Sequence, residues 1–280
     1  NVLQMGMVAS ERVFKVLDTD ARIEDSGDKI PSYLKGKIEF DHVWFAYEGE
    51  DWILKDLTFD VSKGETVAFV GETGAGKTSV INLLSRFYEF QKGSITIDRE
   101  DIRTYDLAKL RERVGVVLQD VFLFSDSIYN NITLYNNSIS KEKVIEASKL
   151  VGAHEFIMKL PGNYDFNVRE RGGMLSVGQR QLIAFIRAYV YDPSILVLDE
   201  ATSSVDTESE MMIQRAIEVL TKGRTSIVIA HRLATIQNAD KIIVLDKGRV
   251  MEIGNHQELL KKDGHYKTLY ELQFSDAEEK

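Results

Sequence analysis

Residues 71–78, Gly-Glu-Thr-Gly-Ala-Gly-Lys-Thr, leave this chain few ways to fold. The run fits G-x-x-x-x-G-K-[ST], in which successive backbone N–H groups turn inward around phosphate oxygens with no Cβ in the way. It works between a buried strand and a helix, because the helix adds its positive N-terminal end. Both flanks are present. Thr66-Val67-Ala68-Phe69-Val70 is a short, nearly all-apolar strand, as in a sheet covered on both faces. The periodicity predicts a helix from Lys77 to Phe87, with Val80, Leu83, Leu84 and Phe87 on one side. With glycine at about 7% of residues, the four fixed positions match by chance in roughly one chain in a hundred of this length. The motif assigns Lys77 to the β- and γ-phosphates and the Thr78 hydroxyl to magnesium.

The rest of the chain agrees with an α/β sheet. Buried strands are predicted at Val114–Leu118, Ile195–Leu198, Ser226–Ile229 and Ile242–Leu245, with helical stretches such as Glu208–Leu220 between them. The opening differs. Ile38, Phe40, Val43 and Phe45 alternate, as do Leu57, Phe59 and Val61, with a turn at Glu48-Gly49-Glu50-Asp51, which is an antiparallel style. Residues 127–190 carry helical periodicity at 141–152 and 178–190 and no convincing strand, so a helical insertion is expected there. Residues 1–18 read as a helix and residues 19–35, with Pro31, as a linker. The chain starts at Asn1 with no leader pattern, which reads as a piece of a longer polypeptide.

Composition narrows the partners. Lys plus Arg is 35 and Asp plus Glu is 44, so the net charge is −9, and no basic tract exists to bind nucleic acid. Cysteine is absent, which excludes a disulfide scaffold, a zinc-finger framework and a thiol nucleophile. No run reaches the roughly 18 apolar residues of a membrane span.

A second acidic site follows the strand Ile195–Leu198. Asp199 stands where ligands bind in α/β sheets, suited to magnesium, and Glu200 beside it is suited to polarise an attacking water. Upstream lies Leu175-Ser176-Val177-Gly178-Gln179, which resembles the signature of the ATP-binding cassette (ABC) family. The family's other marks come in the expected order. Tyr47 looks like the aromatic A-loop residue, Gln119 like the Q-loop, Ser203-Ser204-Val205-Asp206 like the D-loop and His231 like the switch histidine. The resemblance covers about residues 36–273. Asn167-Val168-Arg169-Glu170-Arg171-Gly172 looks like the X-loop of ABC exporters, and the helix 1–18 like the end of a last transmembrane helix. Two departures stand out: Val177 replaces the usual glycine of the signature, and Arg99 stands where many relatives have glycine.

The resemblance implies a P-loop NTPase (RecA-like) α/β core, an N-terminal antiparallel β subdomain and an inserted α-helical subdomain at about 127–190, with residues 274–280 as a tail. It implies ATP and Mg2+ as ligands, hydrolysis that powers export, and a place on the cytoplasmic face of a membrane. The partners implied are a second nucleotide-binding domain and a transmembrane domain, which Glu170 would face. Tyr47 would stack on adenine. Gly71, Thr73, Gly74, Ala75, Gly76, Lys77, Thr78 and Ser79 would hold the phosphates. Thr78, Gln119 and Asp199 would surround magnesium. Glu200 would activate water, and His231 would bridge it to the γ-phosphate. Ser176, Gly178 and Gln179 would act on the partner's nucleotide, and Asp206 would communicate between the two sites.

Overall fold

The computed structural model describes residues 2–19, 27–200 and 207–274. Helix α1 (Val2–Leu17) opens the chain. Strands β1 (Ile38–Ala46) and β2 (Trp52–Val61) form a hairpin, β3 (Thr66–Val70) enters the glycine-rich loop, and α2 (Lys77–Leu84) leaves it. Next come β4 (Lys92–Ile97), β5 (Glu100–Asp101), α3 (Leu107–Arg113) and β6 (Val114–Val117). Four helices follow: α4 (Ile128–Thr133), α5 (Lys141–Val151), α6 (His154–Met158) and α7 (Val177–Tyr191). The chain continues through β7 (Ile195–Asp199), α8 (Thr207–Thr221), β8 (Thr225–Ile229), α9 (Leu233–Gln237) and β9 (Lys241–Asp246). It ends in β10 (Arg249–Gly254), α10 (His256–Lys261) and α11 (His265–Phe274).

Among the described residues, six strands build the central sheet in the order β10-β9-β3-β8-β7-β6. The inner contacts are parallel, and β10 adds an antiparallel edge. Alternate residues of each central strand enter different cores. Ala68, Leu196, Leu198 and Val228 pack with α5, α7 and α8, whereas Val67, Phe69, Val197 and Ile227 pack with α2 and the second sheet. This is why these strands read as continuous apolar runs. The second sheet is antiparallel in the order β2-β1-β4-β5. Phe59 on β2 meets Phe69 on β3 edge to face at 5.2 Å, joining the two sheets.

Several boundaries differ from the sequence expectation. The helix expected to reach Phe87 stops at Leu84, because Arg86 takes a left-handed backbone (φ 48°). The Arg86 guanidinium is buried and donates to the carbonyls of Ile102 and Tyr105. Phe87 is thereby turned outward, under the Arg111 guanidinium at 5.1 Å. Strand β6 ends at Val117, one residue early, and β2 begins at Trp52 rather than Leu57. The antiparallel sheet is completed by β4 and β5, which follow the phosphate loop in sequence. The departure at Arg99 has a backbone reason. Asp98 (φ 55°) and Arg99 (φ 72°) form the two-residue turn between β4 and β5, where glycine is the easier occupant. No strand interrupts 127–190; a single bridge pairs Ser127 with Asn167.

The β9–β10 hairpin, not foreseen from sequence, braces the phosphate loop. Gly248 N donates to Ala75 O at 3.0 Å, and Gly248 O accepts from Lys55 N at 2.9 Å. Gly248 has φ 80°, and a Cβ there would lie 1.9 Å from Ile53 O, a backbone atom that cannot step aside. Gly248→Ala should therefore destabilise the fold by roughly 2–3 kcal/mol. A urea midpoint equal to the wild type would refute this brace.

Candidate active site

The glycine-rich loop sits at the C-terminal end of β3, with β8 and β9 on either side. Gly71 opens it with φ 153°, and a Cβ there would meet Leu245 O at 2.2 Å, so only glycine lets the loop turn beside β9. Ala75 N donates to Glu72 O at 3.1 Å, closing the turn. The N-cap of α2 is Gly76, which has no side chain to satisfy the first amides, and the first turn carries no acid. Among the described residues, the N–H groups of Gly74, Gly76, Lys77 and Thr78 have no internal acceptor. A helix start left open in this way attracts an anion with several acceptor oxygens.

Lys77 is 8% exposed, and its ammonium donates to the carbonyls of Gly71 (2.7 Å) and Glu72 (3.0 Å). Burial lowers its pKa, and the charge of Asp199 opposes that. Asp199 ends β7 and is half-buried. Burial raises its pKa, Lys77 pulls it down, and Asp120 adds to the rise. His231, just beyond β8, has its pKa lowered by burial and then by the charge of Lys77. Lys77 thus acts electrostatically on both Asp199 and His231. The structure gathers these three side chains, from the loop, β7 and the end of β8, around one place.

Other predicted residues take varied positions. The Tyr47 hydroxyl lies 3.1 Å from Ser79 Oγ and accepts from Asn82 Nδ2 at 3.0 Å, so its ring is tethered to α2. It is 44% exposed and meets Phe45 and Tyr88 edge on, which leaves area for a stacked base. Thr73 and Thr78 are exposed, and Ala75 is buried. Gln119 lies exposed in the bend after β6, and among the described residues no hydrogen bond orients it. Ser176 is the N-cap of α7. Its Oγ accepts from Gln179 N at 3.2 Å, and the Gln179 side chain accepts from Ser176 N at 3.0 Å. Gly178 is buried in the first turn, while Val177 is 40% exposed. Among the described residues no hydrogen bond joins 176–179 to 71–79. Glu170 is exposed in a single 3-10 turn. Asp206, with Ser203–Val205, lies outside the described residues.

Glu200, expected to activate water, is enclosed by several hydrogen-bond donors. It is 1% exposed. Its Oε2 accepts from His231 N (3.0 Å) and Arg232 N (3.3 Å), and its Oε1 accepts from Thr235 Oγ1 (2.5 Å). Burial raises its pKa, and these donors oppose the rise. Sequence reasoning missed Thr235 and Asp120. Asp120 could have been found by its adjacency to Gln119. Thr235 carries no motif, and only its hydrogen bond from α9 to Glu200, just after β7, reveals it.

A family model described as ABC transporter matches residues 54–203, more than half of the chain. The chain belongs to the ABC transporter family. This ABC chain is 48% identical over 278 residues to "Uncharacterized ABC transporter ATP-binding protein YknV" of Bacillus subtilis, covering 99% of the chain and 46% of the relative. It is 46% identical over 271 residues to "Probable multidrug resistance ABC transporter ATP-binding/permease protein YheH" of the same species, covering 97% and 40%. A solved bacterial Atm1-family ABC exporter with ATP bound superposes with TM-score 0.85 and 39% identity, over 97% of this chain and 48% of the other. The chain thus spans less than half the length of these relatives. Its fold is that of the ATP-binding part of ABC transporters. Among the described residues no helix is long and apolar enough to cross a membrane.

Proposed function

We propose that this chain is the ATPase engine of an exporter, in which MgATP bound at residues 71–79 closes a pair of such domains and its hydrolysis reopens them. The observation that carries this reading is the open start of α2 beside Lys77, with Asp199 and His231 in the field of the same ammonium. Phosphate oxygens would replace the carbonyls of Gly71 and Glu72 as acceptors for Lys77 and take the free amides of Gly74, Gly76, Lys77 and Thr78.

The residues present fit magnesium. The exposed Thr78 hydroxyl and the Asp199 carboxylate are hard oxygen donors, and magnesium characteristically takes one or two carboxylates together with substrate phosphates. Bound there, the ion would neutralise charge on the β- and γ-phosphates. Asp199 and Gln119 would orient its shell, Glu200 would take the proton of the attacking water, and neutral His231 would contact the γ-phosphate. Tyr47 would cover adenine.

Ser176, Gly178 and Gln179 complete the site only from a second copy or a homologous domain, and Asp206 would lie between the two sites. Among the described residues, these three make no hydrogen bond to residues 71–79 of their own chain. Helix α1 exposes Leu3, Met5, Met7, Val8, Val13 and Phe14, which suits the end of a membrane-spanning helix in a transmembrane domain. Glu170 would face that domain, at the cytoplasmic side of the membrane.

Dimerisation provides the test. In Glu200→Gln, which should bind ATP without consuming it, sedimentation should show a doubling of mass on adding MgATP. A monomer at saturating MgATP would refute closure by two identical chains.

A further inference from the structure

The geometry points to Thr235 as a positioning residue that holds the Glu200 carboxylate in a withdrawn orientation, from which it must be released before water can be activated. We infer this on the reading above that Glu200 is the base. A base must present a lone pair to water, yet Glu200 is 1% exposed. Oε2 already accepts two backbone N–H groups, from His231 and Arg232. Oε1 accepts the Thr235 hydroxyl at 2.5 Å, the shortest of the three contacts.

Thr235 is itself 4% exposed and has a single hydroxyl proton. Its Oγ1 also lies 3.2 Å from Gln214 Oε1 on α8. The shorter contact takes the proton. Gln214 Oε1 is therefore a more distant, competing acceptor for that proton, and the hydroxyl stays with the carboxylate at the end of β7. The two backbone amides cannot be deleted by side-chain replacement, so Thr235 is the removable part of the latch.

The experiment measures kcat and KM for steady-state ATP hydrolysis by this 280-residue chain. The variants are Thr235→Val and Thr235→Ser, each with Glu200 intact and with Glu200→Gln. Loss of a hydrogen bond to a charged group favours release, so Thr235→Val should raise kcat on the order of tenfold with KM little changed. Thr235→Ser should return the wild-type rate, which a packing role for the methyl group would not do. Glu200→Gln should abolish the gain. An unchanged or lowered kcat in Thr235→Val, with Glu200→Gln inactive, overturns the latch and leaves Glu200 as base. Equal turnover with and without Glu200 overturns the base assignment itself. If Thr235→Val does not fold, as read by thermal unfolding, Thr235→Ala, which removes the same hydroxyl with a smaller side chain, decides. It should raise kcat by the same order, and no rise overturns the proposal.

Discussion

Lys77→Ala is expected to weaken MgATP binding by some hundredfold or more. The ammonium is buried and makes two hydrogen bonds to loop carbonyls that phosphate oxygens would replace. Each bond to a charged phosphate contributes about 1.5–3 kcal/mol, so losing two removes roughly 3–6 kcal/mol, and each 1.4 kcal/mol is about tenfold. The fold should persist, since α2 is anchored by Val80, Ile81, Leu83 and Leu84, all buried. The variant also removes the positive charge that opposes ionisation of His231 and favours that of Asp199. Titration calorimetry with MgATP gives the answer directly. Wild-type affinity in Lys77→Ala would mean that the phosphates bind elsewhere.

The second large effect is expected at Glu200. Glu200→Gln should keep nucleotide affinity within a few-fold and lower kcat about a hundredfold or more, the range ascribed to a positioned general base. The replacement is nearly isosteric. Its amide oxygen can still accept from His231 N and Arg232 N, and its amide nitrogen can donate to Thr235 Oγ1, so the neighbourhood need not rearrange. What disappears is the ability to take a proton. Phosphate release and nucleotide affinity measured on the same sample separate the two properties. Undiminished turnover would remove Glu200 from the role. A parallel loss of affinity would make it a structural support for the His231 turn instead.

Val177 illustrates how little one departure from a motif need cost within a single chain. The capping box of α7 uses the Ser176 and Gln179 side chains and makes no demand on the residue between them. Val177 is 40% exposed, so within this chain the departure leaves the start of α7 intact.

The sequence by itself determined what depends on near neighbours along the chain. The strand–loop–helix around Gly71–Thr78 follows from an apolar run, glycine spacing and helical periodicity, all within a couple of dozen residues. So do the strand Ile195–Leu198 that leads into Asp199, the helices expected at 141–152 and 178–190, and the turn at 48–51. The order of the marks Tyr47, Gln119, Ser176–Gln179, Asp199 and His231 placed the chain in its family before any contact was known. Only the tertiary structure decided matters that join residues distant in sequence. It turned Arg86 inward and Phe87 outward, because the carbonyls of Ile102 and Tyr105 wait beneath α2. It set Gly248 against Ala75 under the phosphate loop, and it sheathed Glu200 in donors from 231–235. Spacing along a strand or helix tells which face a residue occupies. It cannot tell which buried partner completes a hydrogen bond, because that partner is chosen when separate elements pack and every buried polar group must be satisfied at once.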